Sequence, residues 1–288
     1  MKSSAVLLQT LLLAKKRLRE LKTGKDISRA GGAFGDLQND TELTADKVIG
    51  QYLAEQFRKV FPGACISVEG LPDKDTDDPS HTWVTVDPLD GSLNYLHAGG
   101  MTGFPVTAVV TVLNKKAGAT FADITDVAVL DLRGTLRDSW TATWRSKESR
   151  YSTRLRSGKS YHAFGSTMDV GTLDLGRMNV IGEMYYPENR EKLFRAFAGE
   201  KGWLRSPGSA AYEMASVASG QAVAFVCDRQ KQHELGAGYA LVKGSGGVAV
   251  DWDGKDLGTR TYDFKTQTPC ILAANMRIAE QLLERLNR

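Results

Sequence analysis

Between Trp83 and Tyr95 the chain reads Trp-Val-Thr-Val-Asp-Pro-Leu-Asp-Gly-Ser-Leu-Asn-Tyr, and this segment limits the fold more than any other. Apolar and β-branched residues from Trp83 to Val86 predict a strand. It ends in Asp87 and Asp90, two carboxylates on either side of Pro88, whose fixed φ and effect on the preceding residue predict a stiff bend. Gly91 lets the backbone approach an anion closely, and Ser92 is placed to cap a following helix whose amide end favours phosphate. Two hard oxygen donors beside an anion cradle suit a Mg²⁺-assisted phosphoryl site. An ordinary Asp-Gly turn needs far fewer of these residues.

A chain of 288 residues with 42% hydrophobic content can bury a full core, as one large domain or two joined halves. Its 29 glycines and 8 prolines fit an α/β enzyme with tight loops rather than a disordered or fibrous chain. The formal charge of +3 is too small to argue for nucleic acid. Cys65, Cys227 and Cys270 show neither metal spacing nor a disulfide framework, which predicts a reducing, cytoplasmic setting. The run Ala5–Ala14 is too short to span a bilayer, and its basic residues follow it. An amphipathic helix packed on the body is expected there, rather than a secretory signal or a membrane anchor.

Apolar residues at Ala45, Ile49, Leu53, Phe57 and Val60 predict a helix over 44–60, stopped by Pro62-Gly63. Cys65–Val68 reads as a short strand ending at Glu69, and Leu71–His81 as a polar loop. Val106–Leu113 and Ala122–Leu132 are β runs, and Arg133–Lys159 is rich in Arg and Lys. The boundary between an N-terminal half, 1–158, and a C-terminal half, 159–288, is expected near the end of that stretch. Beyond it, strand and helix signals alternate: a helix over Ser209–Ala218, a strand over Ala222–Val226, a helix over Glu234–Lys243, then strand, turn and a final strand and helix. Asp251 and Asp253 are read as turn residues.

Taken together, these segments resemble the inositol monophosphatase and fructose-1,6-bisphosphatase superfamily of Mg²⁺-dependent, lithium-sensitive phosphatases. The resemblance covers roughly Thr44–Asn287, and its most specific element is Asp87–Tyr95. It implies that Asp87, Asp90 and the Leu89 carbonyl bind metal, that the Gly91 and Ser92 amides hold phosphate, and that the Ser92 hydroxyl positions the attacking water. Thr44-Ala45-Asp46 and Ile66-Ser67-Val68-Glu69 match two upstream elements. Glu69 is thereby implied as a metal ligand that orients the water, with Asp46 supporting it. The family's usual pair of acids at that strand end is here the single Glu69, between Val68 and Gly70.

Downstream, Gly208-Ser209-Ala210-Ala211 resembles a segment that packs beside the substrate, so the backbone amides of Ser209 and Ala210 are expected to meet substrate groups. A capped helix alone would also explain it. Where inositol monophosphatases carry Trp-Asp, this chain has His233-Glu234. The carboxylate survives one methylene longer, which shifts it by about 1.5 Å. Fructose-1,6-bisphosphatases place a glutamate there, which keeps Glu234 as an implied ligand. Arg229 and Lys231 precede it, either meeting a second anionic group of the substrate or lying on a solvated loop.

The resemblance implies a layered α/β/α/β/α sandwich, two or three Mg²⁺ ions with Mn²⁺ as a substitute, and a homodimer. It also implies hydrolysis of a small phosphate monoester, inositol monophosphate-like or a sugar phosphate, by metal-activated water. Fructose 1,6-bisphosphate and 3′-phosphoadenosine 5′-phosphate are alternative substrates. A weakened family member that binds a phosphorylated ligand or nucleic acid is the alternative of another class. The basic stretch, with Trp140, Trp144 and Tyr151 interleaved, is read as a hairpin with a cationic outer face, so nucleic acid is not expected as a partner.

Overall fold

The computed structural model describes residues 3–21, 44–72, 82–97, 103–133, 138–157, 160–164, 179–199 and 203–288. Most of the expected loop, 73–81, lies outside the described residues, as do 134–137 and 158–159 of the basic stretch.

Helix α1 (Ser3–Glu20) buries Leu7, Leu11, Ala14 and Leu18, one stripe at helical spacing. Helix α2 (Thr44–Val60) does the same with Ala45, Ile49, Leu53 and Phe57, and Gly63 follows at a φ of 80°. Both helices cover one face of a sheet, seven-stranded among the described residues, ordered β1 (Cys65–Val68), β2 (Trp83–Asp90), β3 (Thr107–Leu113), β4 (Ile124–Asp131), β5 (Ser139–Arg145), β6 (Arg150–Ser157) and β7 (Ser160–Phe164). β1 and β2 are parallel, and every other neighbouring pair is antiparallel. A short helix, α3 (Ser92–His97), leaves the end of β2.

A second sheet, five-stranded among the described residues, is ordered β11 (Val248–Val250), β12 (Gln267–Ala273), β10 (Ala224–Lys231), β8 (Asn179–Gly182) and β9 (Trp203–Arg205). Helices α5 (Ala210–Ala218) and α6 (Gln232–Gly244) fill the space between the sheets, and one core cluster draws on both sheets and both helices. Helices α4 (Pro187–Ala196) and α7 (Met276–Leu286) close the outer face. The layers are α/β/α/β/α, as the family resemblance implies. The first sheet runs past the expected division at 158, because β7 pairs with β6 up to Phe164.

Two local irregularities aim the strands at one place. In β2, Asp87 pairs with Val109 and Asp90 with Thr107, so one extra residue bulges out at the proline, which has no N–H to give the ladder. In β10, Cys227 pairs with Cys270 and Gln230 with Thr268, again with one extra residue. The sequence reading ends this strand at Val226. The structure carries it five residues further, through the polar stretch to Lys231.

The middle layer is tight. A Cβ added at Gly238 of α6 would lie 2.2 Å from the Met214 sulfur and 2.8 Å from the Met214 Cβ of α5. Only glycine allows that approach.

Candidate active site

The ends of β1, β2 and β10, with the first turns of α2, α5 and α6, surround a cavity of about 510 Å³. Asp46, Glu69, Asp87, Leu89, Asp90, Gly91 and Ser92 line it from the first half. Gly208, Ser209, Ala210, Arg229, Lys231 and Glu234 line it from the second. These are the residues that the sequence offers as catalytic, metal-binding or substrate-binding candidates, and all of them line this one cavity.

Asp87 is 1% exposed; its Oδ1 accepts the Leu89 amide at 2.9 Å, and its Oδ2 has no hydrogen-bond partner among the described residues. The Glu69 amide donates to the Val86 carbonyl at 2.9 Å, which sets Glu69 beside that corner. Asp87, Asp90 and Glu234 each offer an oxygen within 4.8 Å of the others. Glu69, Asp87 and His233 form a second such group.

Asp90 is held from four directions. Its Oδ2 accepts from Thr107 Oγ1 at 2.8 Å, Ser209 Oγ at 2.7 Å and the Ala211 amide at 2.9 Å, and its Oδ1 from the Ala210 amide at 3.0 Å. The Gly208 amide donates to Glu213 Oε1 at 2.7 Å. The Ala210 amide, expected to meet substrate, instead binds a protein carboxylate. The open N–H groups and dipole of the α5 start are met by the buried Asp90.

Gly91 has a φ of 90°, and a Cβ there would lie 2.8 Å from the Pro105 carbonyl oxygen. Ser92 is the first residue of α3, with the Tyr95 amide donating to the Gly91 carbonyl, so it does not cap the helix as expected. Its hydroxyl lies 2.9 Å from the Leu89 carbonyl oxygen and 3.3 Å from Asp46 Oδ2, both acceptors. Asn94 donates through its side-chain amide to the Pro105 and Pro207 carbonyls, each at 2.8 Å, tying α3 to the loop before α5.

Lys231 Nζ donates to Glu69 Oε1 at 2.6 Å, and His233 Nε2 lies 3.4 Å from Glu69 Oε2. Gln230 donates its side-chain amide to Glu234. Arg229 lies 3.4 Å from Glu188 and 3.5 Å from Asp228, with its guanidinium 5.0 Å from the centre of the Tyr186 ring. The two cations, read as meeting either a second substrate anion or solvent, are instead each matched by protein carboxylates.

These surroundings split the acids electrostatically. Burial raises the Asp87 carboxyl well above its ordinary value, and the charges of Glu69, Glu234 and Asp90 push the same way. Burial also raises Asp90, against the four hydrogen bonds that favour its charged form. Glu69 goes the other way: burial would raise it, but His233 and Lys231 together hold it well below the usual carboxylate range.

A divalent cation fits this donor set. The facing atoms are carboxylate oxygens, one of them buried without a partner, and their mutual repulsion is what a hard cation relieves. Glu213 escapes sequence reasoning. It is 1% exposed, lines the cavity, and is raised well above the ordinary value by burial despite the Gly208 amide. The available signal was a lone acid on an otherwise apolar helix.

Two sheets with helices between them and an acid-lined cleft at their junction define the fold of the IMPase-type phosphatases. An IMPase from Thermotoga maritima matches with a TM-score of 0.71 at 18% identity, over 100% of this chain and 97% of that one. The extragenic suppressor protein SuhB from Bartonella henselae matches with a TM-score of 0.70 at 20% identity, over 99% and 98%. In sequence, the chain is 28% identical to an inositol-1-monophosphatase of Rhizobium meliloti (strain 1021), over 93% of this chain and 92% of that protein. It is 26% identical to the Nus factor SuhB of Escherichia coli (strain K12), over 87% and 86%. The chain belongs to the inositol monophosphatase family, whose sequence model matches residues 3–288, and it is by class a phosphatase. No helix among the described residues is long and apolar enough to cross a membrane.

Proposed function

We propose that the chain hydrolyses a small phosphate monoester, inositol monophosphate-like or a sugar phosphate, with the aid of Mg²⁺ or Mn²⁺. The observation that carries this reading is the partnerless, buried Oδ2 of Asp87 among the carboxylates of Glu69, Asp90 and Glu234. Asp87, Asp90 and Glu234 would hold the ion, and Glu69 faces the same space. The ion would supply Lewis-acid charge to the phosphoryl oxygens and make water more acidic.

The chain's own residues do the positioning. Ser92 has one hydroxyl proton and two nearby acceptors for it, the Leu89 carbonyl and Asp46, which leaves its oxygen to accept from an attacking water. Glu69, kept ionised by Lys231 and His233, is the companion acceptor for that water. The Gly91 and Ser92 backbone borders the cavity where the phosphate is proposed to sit. Ser209, with the Ala210 and Ala211 amides, fixes Asp90 rather than the substrate.

Pairing of Arg229 and Lys231 with carboxylates favours a monophosphate over fructose 1,6-bisphosphate or 3′-phosphoadenosine 5′-phosphate. Phosphate release from these two and from inositol monophosphates, with and without Mg²⁺ and Li⁺, tests the assignment. Mg²⁺-dependent, Li⁺-inhibited release from a monophosphate is expected; no release from any ester at any Mg²⁺ concentration would sink it. Lithium sensitivity and a homodimer rest on the resemblance, and a cytoplasmic setting on the cysteine pattern; sedimentation of the purified chain tests the homodimer.

A second reading draws on the relatives named Nus factor SuhB. The β5–β6 hairpin buries Trp140 and Tyr151 and turns Arg150 and Arg154 outward, an electrostatic face compatible with nucleic acid. A salt-dependent shift of RNA in a gel would support it, and no shift at low salt would remove it.

A further inference from the structure

The two groups of ligand atoms at the centre share Asp87 but differ in chemistry. Asp87, Asp90 and Glu234 are three carboxylates. The group of Glu69, Asp87 and His233 already has a cation within it. Lys231 Nζ lies 2.6 Å from Glu69 Oε1, and His233 Nε2 lies 3.4 Å from Glu69 Oε2, so each oxygen of Glu69 faces a nitrogen.

The lysine is not a surface side chain that happens to reach inward. It is the last residue of β10, paired in register with Gln267, and α6 begins at the next position. The strand-to-helix junction therefore fixes its Cα just ahead of Glu234. Its side chain is 22% exposed, and it lines the same cavity as the acids.

We propose that the Lys231 ammonium stands in for a second divalent ion, so that the chain binds one ion, at Asp87, Asp90 and Glu234, rather than the two or three that the family resemblance implies. This deepens the function proposed above and rests on it. A divalent ion on Glu69 would sit beside a fixed positive charge in a partly dry site, where like charges repel far more strongly than in water. The ammonium, held on Glu69, offers compact positive charge beside the cavity but no Lewis-acid coordination. Charge neutralisation is thus divided between one ion and one side chain. Glu69 changes from an ion ligand into an acceptor held ready for water.

Titration of the full chain with Mn²⁺, with free ion read by electron paramagnetic resonance, tests this without an activity assay. The unaltered chain is expected to take up one Mn²⁺, Lys231→Met and Lys231→Gln two, and Lys231→Arg one. Circular dichroism checks that each variant is folded, and two uncharged replacements guard against one failing to fold. Two ions on the unaltered chain would overturn the inference and leave the phosphatase reading standing. One ion on both folded, uncharged variants would overturn it as well, since the lysine would then not be what excludes the second. No uptake by the unaltered chain would overturn both.

Discussion

Ser209 donates its hydroxyl to Asp90 Oδ2 at 2.7 Å, joining residues 119 positions apart and tying the second half of the chain to the first at the floor of the cavity. With the Ala210 and Ala211 amides, it makes Asp90 as much a structural link as a candidate ligand.

Asp90→Asn should therefore cost stability as well as function. Each of the four groups hydrogen-bonded to Asp90 is a donor in the present arrangement, and a side-chain amide would set its own N–H₂ against some of them. Leaving a buried donor unmatched costs about 1–3 kcal/mol. A urea melt of the metal-free variant measures it, and a midpoint equal to that of the unaltered chain would contradict the argument.

Asp87→Asn is the cleaner probe. Its Oδ1 would keep the Leu89 amide, and the amide nitrogen would take the place of an oxygen that has no partner. One charge also leaves a crowded acidic site. The metal-free variant should melt at or above the unaltered chain, with the stabilisation by Mg²⁺ or Mn²⁺ and the phosphate release both lost. Thermal melts with and without the ion decide it.

Glu213 gives the pH dependence. Burial raises its carboxyl well above the ordinary value, so the folded chain keeps a proton that the unfolded chain releases near pH 4.3. The folded state then binds more protons above that pH, and stability falls as pH rises from the unfolded value towards the folded one. Asp87 and Asp90 act in the same sense, so Glu213→Gln should flatten the fall without abolishing it. Melting curves at pH 5, 6, 7 and 8 (about 3 units of range) should converge at the acid end and separate above it; parallel curves would refute the assignment.

Gly238→Ala tests the middle layer. The added methyl would meet the sulfur and Cβ of Met214, and overfilling a packed core costs about 1–3 kcal/mol. Shortening the partner should recover part of the loss, so Gly238→Ala with Met214→Ala is expected to be more stable than the sum of the two single changes. Simple additivity would place the clash elsewhere.

Much of the site was legible because its first half is local. Asp87 through Tyr95 carries two acids, a proline, a glycine and a serine in one short run; periodicity finds the strand and helix that carry Glu69 and Asp46, and the family resemblance picks those two acids out. The second half is harder to read. Cys227–Lys231 lacks alternation because its strand is bulged and polar, so Lys231 read as part of a loop, and nothing local reveals that it meets Glu69 across 162 positions. The start of α5 was read correctly as a helix, yet its amides turn to Asp90, a preference set by where a buried charge lies in space. Glu213 gave only one acid among apolar neighbours, a pattern that also fits an ordinary surface residue.

Helix α6 is buried from Gln232 to Val242 and presents Glu234 in its first turn. A slip of one residue along that helix would swing every side chain by about 100°, withdrawing the carboxylate from the cleft and driving the wrong shapes into both sheets at once. Reactivity and foldedness are thus welded together along this rod: any drift at its axis is felt by the whole molecule.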